Sequence, residues 1–192
     1  MNNSLIISVL LFALITSFYQ GQGVYTSIEE ANENPDKVKE LVLSDLDTFP
    51  IDIFRYKNLQ YLDIGNSSFH EIPKGLSNLK FLKEIVITHS PIKQLPCDIG
   101  NIKKLEKLSL IFTEINDIPP SVGNLYYLEE LNLNGSPVSS LPDEFFKLTN
   151  LKVLYLQQEY PMESLMNQEL QEKIMKHYPE CTIWFDYSHI KK

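Results

Sequence analysis

The chain has few of the residues on which most catalytic and metal sites depend. Among its 192 residues are only two cysteines and four histidines. Neither cysteine belongs to a CxxC or CxxH pattern, and the histidines are scattered along the chain. No GxSxG, HExxH, GxxxxGKS or calcium-loop motif occurs. We therefore expect no enzyme activity, no catalytic residues, no cofactor and no metal site.

Positive charge is scarce as well. The 17 lysines and arginines are outnumbered by 25 aspartates and glutamates, which gives a net charge of -8 and a pI near 5.0. A protein that binds nucleic acid normally displays a concentrated basic face, so we expect no nucleic-acid partner. With 43% hydrophobic and 22% charged residues, the composition is otherwise that of one globular domain.

What the chain does have is leucine at a fixed interval. The interval is 23 residues, and it separates Leu59, Leu82, Leu105, Leu128 and Leu151. A weaker copy, two residues shorter than the others, starts at Val38. A period in this range is typical of a solenoid, in which each unit packs mainly against its neighbours.

Each unit divides into two halves, as residues 105–127 illustrate. In the first half, Leu108 and Leu110 have the spacing of buried strand residues, and Ser109 between them points to the opposite face. The second half, residues 118–125, contains prolines and a glycine that exclude a long helix or a central strand. This half must be a turn or a short helical segment. Stacked units would then pair their strands in parallel.

These motifs resemble the leucine-rich-repeat proteins of the 23-residue class, with the pattern LxxLxLxxxxIxxLPxxIGNLxx found in plant intracellular and Ras-suppressor-like proteins. The resemblance covers roughly residues 38–156 and, with the apparent export signal described below, extends to small secreted bacterial repeat proteins. It implies an α/β solenoid: a leucine-rich-repeat arc with a parallel β-sheet on the concave face. It also implies short turn or helical segments on the convex face, and helical N- and C-terminal caps.

One position departs from the family pattern. At the ninth position of the unit, the family usually has an asparagine that bonds to the loop backbone. This chain has hydroxyl residues there: Ser67, Ser90, Thr113 and Ser136. Because a hydroxyl makes fewer hydrogen bonds than an amide, we expect the loop geometry to differ.

The N-terminus has the features of a signal peptide. Residues 1–23 carry no charged side chain and include an apolar run over residues 5–18, shorter than the roughly 20 residues that a spanning helix needs. Gly21 and Gly23 supply small residues at cleavage spacing, which predicts cleavage near Gly23. The protein would then be exported, to the periplasm, the cell surface or the medium. Because no lysine or arginine precedes the run, an uncleaved membrane anchor is the alternative.

Both ends of the repeat array have the features of caps. Ser27 and Glu30 have the spacing of a capping box, which predicts a short helix that ends at Asn34 before Pro35. Residues 164–177 read as a helix with Leu170, Ile174 and Met175 facing inward, and residues 181–185 as a β-prone run that covers the last repeat strand. The predicted organisation is a signal peptide (1–23), an N-terminal cap (24–37), repeats (38–58, 59–81, 82–104, 105–127, 128–150 and 151–162), a C-terminal cap (163–185) and a tail (186–192).

The two cysteines are not expected to form a disulfide, although an exported chain would meet an oxidising compartment. Cys97 belongs to the unit that begins at Leu82, and Cys181 lies beyond the unit that begins at Leu151. With strands about 4.8 Å apart, the two should be separated by more than about 10 Å. We expect two free, mostly buried thiols.

Side chains between and just after the core leucines should point to the concave face, where the family resemblance places ligand binding. The candidate partner-binding residues are Tyr61, Asp63, Val86, His89, Ile111, Phe112, Asn132 and Tyr155. Ile111 and Phe112 are the expected centre, because they are two large apolar side chains where other units have small or polar ones. The alternative is that Phe112 folds over the neighbouring turn and helps to bury it.

These features predict a non-enzymatic scaffold that binds a protein partner of unknown identity on its concave face. One alternative is a structural or glycan-binding protein of the cell envelope, in which Tyr61 and Tyr155 stack on sugars. Another is an intracellular regulator of a small GTPase, if the N-terminus is not a signal. We expect contact with a membrane only if the N-terminal segment is kept as an anchor.

Overall fold

A computed structural model describes residues 21–157 and 168–185. In these residues, eight strands form a single parallel sheet, and strands that follow one another in the chain are neighbours in the sheet. The strands are β1 (Val24–Tyr25), β2 (Glu40–Ser44), β3 (Tyr61–Gly65), β4 (Glu84–Ser90), β5 (Lys107–Thr113), β6 (Glu130–Asn132), β7 (Val153–Tyr155) and β8 (Thr182–Trp184). This confirms the predicted leucine-rich-repeat arc and its parallel sheet.

The strands alternate between core and surface, because successive side chains of a strand point to opposite faces. In β3, Leu62 and Ile64 are fully buried, whereas Tyr61, Asp63 and Gly65 are partly exposed. The repeat-opening leucines are buried too, and together with the strand residues they form one continuous core along the solenoid. The predicted phase of the strands is therefore correct.

Short 3-10 helices form the convex side. They lie at Ile51–Arg55, Leu76–Asn78, Ile99–Asn101, Pro120–Asn124 and Asp143–Lys147. These segments stack so closely that a Cβ atom on Gly100 would lie 1.9 Å from the carbonyl oxygen of Ser121 in the next repeat. Glycine is required there because the neighbouring backbone occupies the space that a side chain would need.

The ninth-position hydroxyls are all buried and hydrogen-bond from one repeat to the next. The Leu46 amide donates to Ser67 Oγ (3.2 Å), the Ser67 amide to Ser90 Oγ (3.3 Å), and the Thr113 amide to Ser136 Oγ (3.2 Å). We call this set, Ser67, Ser90, Thr113 and Ser136, the hydroxyl ladder. The Oγ atoms of Ser67, Ser90 and Ser136 also donate to carbonyl oxygens, those of Gly65 (3.0 Å), Thr88 (3.1 Å) and Leu110 (2.8 Å), so each of these hydroxyls satisfies a backbone donor and a backbone acceptor.

The N-terminal cap contains a strand that the sequence did not predict. Helix α1 (Ile28–Glu33) begins as expected, with Ser27 Oγ accepting from the Glu30 amide at 3.2 Å, and it ends before Asn34. Strand β1 precedes it and pairs with β2. The carbonyl oxygen of Gly23, just before β1, accepts from the amides of Lys39 (2.8 Å) and Glu40 (3.0 Å). The chain around Gly23 is therefore joined to the first repeat.

At the other end, helix α2 (Gln168–His177) and β8 cover the last repeat. Ile174 is fully buried, and Leu170 and Met175 pack partly buried against the core. β8 pairs with β7, so the edge of β7 is not open. The predicted start of this helix at residue 164, the tail 186–192 and most of the predicted signal peptide lie outside the described residues.

The cysteine prediction is half right. Both thiols are free, but Cys97 is exposed and Cys181 is only half-buried, so the expectation of mostly buried thiols was wrong. Cys97 follows Leu95 and Pro96 at the start of a convex 3-10 helix, where the side chain turns to solvent. Burial raises the pKa of the Cys181 thiol to about 11, which keeps it protonated and unreactive at neutral pH. Within the two described ranges, no helix combines the length and the apolar character needed to cross a bilayer.

Candidate functional site

One row of side chains runs across the concave face from β2 to β8. We call it the central row, and strand pairing joins its members in the order Val42, Asp63, Val86, Ser109, Asn132, Tyr155 and Trp184. The row contains four of the eight candidate residues. Parallel strands in register place equivalent positions side by side, so the 23-residue spacing brings these residues together.

In the middle of the central row the small Ser109 side chain lies beside the larger Val86 and Ile111, and we call this place the depression. Val86 and Ser109 are register partners, and Ile111 follows Ser109 by two residues on the same face. Strand and residue spacing place Val86 and Ile111 roughly 8 Å apart, with the small Ser109 side chain between them. Ser109 is only 9% exposed, although it was expected to be a surface residue. Val86 and Ile111 themselves stay partly exposed.

An aromatic pair ends the central row. The rings of Tyr155 and Trp184 stack with centroids 6.2 Å apart and an interplanar angle of 14°. Sequence reasoning placed Trp184 in the C-terminal cap and missed it as a surface residue. One feature of the sequence could have indicated this position: the only tryptophan of the chain lies in a β-prone run. Its indole Nε1 is buried and has no hydrogen-bond acceptor among the described residues.

Tyr61 lies next to the central row and is held in place by it. The Tyr61 hydroxyl donates to Asp63 Oδ2 at 3.2 Å on the same strand. Burial, and then the negative charge of Asp63, raise the pKa of Tyr61 to about 12. Because the phenol stays protonated at any physiological pH, Tyr61 remains a hydrogen-bond donor with a fixed partner. The ring is half-buried rather than freely exposed.

His89 and Phe112 belong to a different feature, at the point where the chain leaves the strands. Five residues there have positive φ angles: Asp45 (58°), Asn66 (49°), His89 (49°), Phe112 (53°) and Gly135 (69°). Aspartate, asparagine, histidine and glycine tolerate this left-handed conformation, whereas for a bulky phenylalanine it is an outlier. This backbone conformation is therefore unfavourable for Phe112, and the packing of its side chain must offset the cost.

The packing of Phe112 supplies that compensation. Its ring lies 4.7 Å from the His89 ring, centroid to centroid. On the other side it covers Gly135, where a Cβ atom would lie 2.1 Å from Phe112 Cδ1. The ring thus bridges the strand exits of three successive repeats. This arrangement is the alternative foreseen for Phe112, in which the ring folds over the neighbouring turn, and it leaves only part of the side chain for a partner.

Charged side chains occupy the other margin of the concave face, at the first residue of a strand or directly before it. Lys83 pairs with Glu106 (3.2 Å), Lys107 with Glu84 (3.9 Å), and Lys152 with Glu129 (2.7 Å). Each pair has at least one half-exposed member, and such surface pairs contribute little to stability. They neutralise one another between adjacent repeats. In the described part of the chain, no three His, Cys, Asp or Glu side chains come close enough to share a metal ion.

Comparison with known proteins agrees with this geometry. Residues 58–79 match the family model described as Leucine Rich Repeat. A solved leucine-rich-repeat protein of Leptospira interrogans is similar over 78% of this chain and 38% of its own, with 30% identity and a TM-score of 0.71. This chain is a leucine-rich-repeat protein. Proteins of this family and fold are typically binding scaffolds without catalytic activity.

Two further structures resemble this leucine-rich-repeat protein at lower identity, which shows the fold alone. An internalin from Listeria monocytogenes is similar over 87% of this chain and 46% of its own, with 19% identity and a TM-score of 0.63. The ectodomain of a plant membrane receptor kinase from Arabidopsis thaliana, solved with CASPARIAN STRIP INTEGRITY FACTOR 2, covers 83% of this chain and 19% of its own, at 18% identity and a TM-score of 0.60. This chain spans less than half the length of each of these structures. No curated protein sequence matches it.

Proposed function

We propose that this leucine-rich-repeat protein is an exported, non-enzymatic scaffold that binds a protein partner on its concave face. The observation that carries the proposal is the central row, in which apolar and aromatic side chains stay partly exposed on a rigid sheet. Export is supported by the apolar N-terminal run and by similarity to the ectodomain of a membrane receptor.

The proposed contact surface has two anchor regions. One is the depression made by Val86 and Ile111, with Asp63 and Asn132 as polar neighbours in the central row. The other is the stacked pair of Tyr155 and Trp184. Tyrosine and tryptophan are enriched among residues that dominate binding energy, because they bury a large area and keep a polar tip.

Tyr61, His89 and Phe112 would form the margins of this surface. Tyr61 presents a ring whose hydroxyl is already bonded to Asp63, so it loses little conformational freedom when a partner binds. His89 and Phe112 limit the surface on the strand-exit side. The charged pairs at the strand starts give the surface a polar margin on the opposite side, as is usual in a protein interface.

The test compares two variants for capture of partners from a cell-envelope fraction by crosslinking. Val86→Asn with Ile111→Asn places two polar side chains in the depression. Ile51→Asn is the matched control, because Ile51 is an exposed apolar residue on the convex side, 68% accessible. For a partner identified in this way and then purified, we expect the double variant to bind about tenfold more weakly or worse, and the control to bind like the wild type.

The fluorescence of Trp184, the only tryptophan, reports the same binding event at the far end of the central row. A change in its emission on titration with the purified partner supports binding at this face. If the double variant binds normally and Ile51→Asn does not, the partner uses the convex side and the proposal is wrong. Binding to purified glycans with no protein captured would favour a glycan-binding envelope protein instead.

A further inference from the structure

A second surface, distinct from the concave face, carries an unusual combination of side chains. The two residues before each repeat-opening leucine form one edge of the solenoid, which we call the return edge. It consists of Lys57, Asn58, Lys80, Phe81, Lys103, Lys104, Tyr126, Tyr127, Thr149 and Asn150, all of them exposed. On a chain with a net charge of -8, this edge holds four lysines and no carboxylate.

The positive charge of the return edge is not neutralised. No carboxylate of the described residues lies within ion-pairing distance of its four lysines, whereas the lysines at the start of the strands are paired with glutamates. Three of the return-edge ammonium groups are instead held by backbone carbonyl oxygens at the ends of the 3-10 helices. The Nζ atoms of Lys57, Lys80 and Lys103 donate to the carbonyls of Phe54 (2.5 Å), Ser77 (2.7 Å) and Gly100 (2.8 Å).

Exposed aromatic rings lie beside these lysines. Phe81 is 46%, Tyr126 52% and Tyr127 64% accessible, and they are three of the five large hydrophobic side chains exposed in the described residues. Lys104 Nζ lies 4.6 Å from the Phe81 ring centroid, and Lys103 Nζ lies 5.6 Å from that of Tyr126. Single exposed apolar residues are ordinary, but three on one edge mark an interaction site.

The fold also separates charge of opposite sign. The turns that follow β2 to β6 carry six carboxylates and two lysines: Asp45, Asp47, Glu71, Asp98, Glu114, Asp117, Lys74 and Lys93. A strand of five residues places these turns about 17 Å from the return edge. That distance is about twice the Debye length of roughly 8 Å at physiological ionic strength. An anionic surface at the return edge would therefore feel the lysines more than the carboxylates of these turns.

We propose that the return edge docks the protein on the surface of an anionic lipid bilayer. Lysine ammonium groups are attracted to anionic headgroups, and tyrosine and phenylalanine rings are favourable at the level of the headgroups. In this position the concave face stays free for its own ligand, and docking does not require the N-terminal run.

The test uses flotation with phosphatidylcholine vesicles that do or do not contain phosphatidylglycerol. The protein is the chain from Gly21 onward, because the apolar run over residues 5–18 would itself insert into vesicles. This chain retains all eight strands and every packing contact described above. Circular dichroism and the urea midpoint of each variant check that it is folded.

Two triple variants with the same change in net charge provide the comparison. Lys57→Gln, Lys103→Gln and Lys104→Gln together remove charge from the return edge, and binding to the anionic vesicles should fall on the order of a hundredfold. Lys74→Gln, Lys93→Gln and Lys176→Gln remove the same charge from exposed lysines elsewhere, and binding should stay within a few-fold of the wild type. Equal losses in the two variants would overturn the proposal, because total charge would then explain the binding.

The aromatic residues distinguish a bilayer from a soluble polyanion. Replacing Tyr126 and Tyr127 with serine should weaken vesicle binding while leaving its dependence on salt unchanged, because no charge is removed. Soluble polyglutamate serves as the second probe. The bilayer proposal is wrong if two results occur together: the wild type binds polyglutamate with the same affinity as vesicles, and the serine variant binds vesicles like the wild type. The return edge would then recognise negative charge alone. Absence of binding to anionic vesicles would also show that the bilayer proposal is wrong, and it would leave the proposal for the concave face intact.

Discussion

Replacing Ser136 with alanine should cost about 2–6 kcal/mol of unfolding free energy, because two buried backbone groups lose a partner. Ser136 is completely buried. Its Oγ donates to the carbonyl oxygen of Leu110 at 2.8 Å, accepts from the Thr113 amide at 3.2 Å, and lies 2.8 Å from Thr113 Oγ1. Alanine removes these bonds and leaves the Thr113 N–H and the Leu110 carbonyl without this partner. Each group left unsatisfied costs roughly 1–3 kcal/mol, and this sets the expected range.

Urea unfolding measures the effect, with Ser140→Ala as the control. Ser140 is an exposed serine four residues away, and its replacement should change stability by less than about 0.5 kcal/mol. The slope of the transition should be the same in both variants, because neither changes the surface that unfolding exposes. Combining Ser136→Ala with Thr113→Val should give a non-additive change, since the two hydroxyls contact each other. Equal midpoints for the two alanine variants would show that the hydroxyl ladder adds no net stability.

Three further predictions concern packing and ionisation. Gly135→Ala should destabilise the protein by more than about 1 kcal/mol in urea unfolding, because the φ of Gly135 is 69° and an added Cβ would meet the Phe112 ring. The loss of stability should be clearly smaller in a Phe112→Asn background. An equal loss in both backgrounds would mean that the ring does not pack there. Leu108→Ala should cost about 2–5 kcal/mol and Ser109→Ala far less in urea unfolding, and the reverse order would contradict the strand phase. Stability should fall as pH rises from 10 to 12, because burial raises the pKa of Tyr56 from 10.0 to about 12 and the unfolded chain loses its proton first. Tyr56→Phe should make that fall shallower in unfolding midpoints measured across this pH range.

The spacing of residues in the sequence was sufficient to predict the solenoid. Leucines at intervals of 23 residues can be buried together only if the units stack, and the alternation around Leu108 sets which side chains face outward. These features are local and repeated, so each copy supports the same interpretation. The proline and glycine of the second half likewise exclude long helices on the convex side.

Other features depended on contacts that no local pattern describes. Strand β1 has only two residues and exists because the Gly23 carbonyl and the edge of β2 are available to it. Trp184 joins the central row because residues 168–185 fold back onto β7, which brings it to Tyr155. In each case the partner lies in another unit or beyond the repeats.

The sequence by itself determined the repeat, the parallel sheet and the face to which each strand side chain points, because each follows from periodicity along the chain. Only the tertiary structure decided how far individual side chains are exposed. Ser109 is only 9% exposed, Cys97 is exposed, and the Phe112 ring packs against His89 and Gly135. The exposure of a side chain depends on the size of the side chains that stacking places beside it, and each repeat receives these from its neighbours.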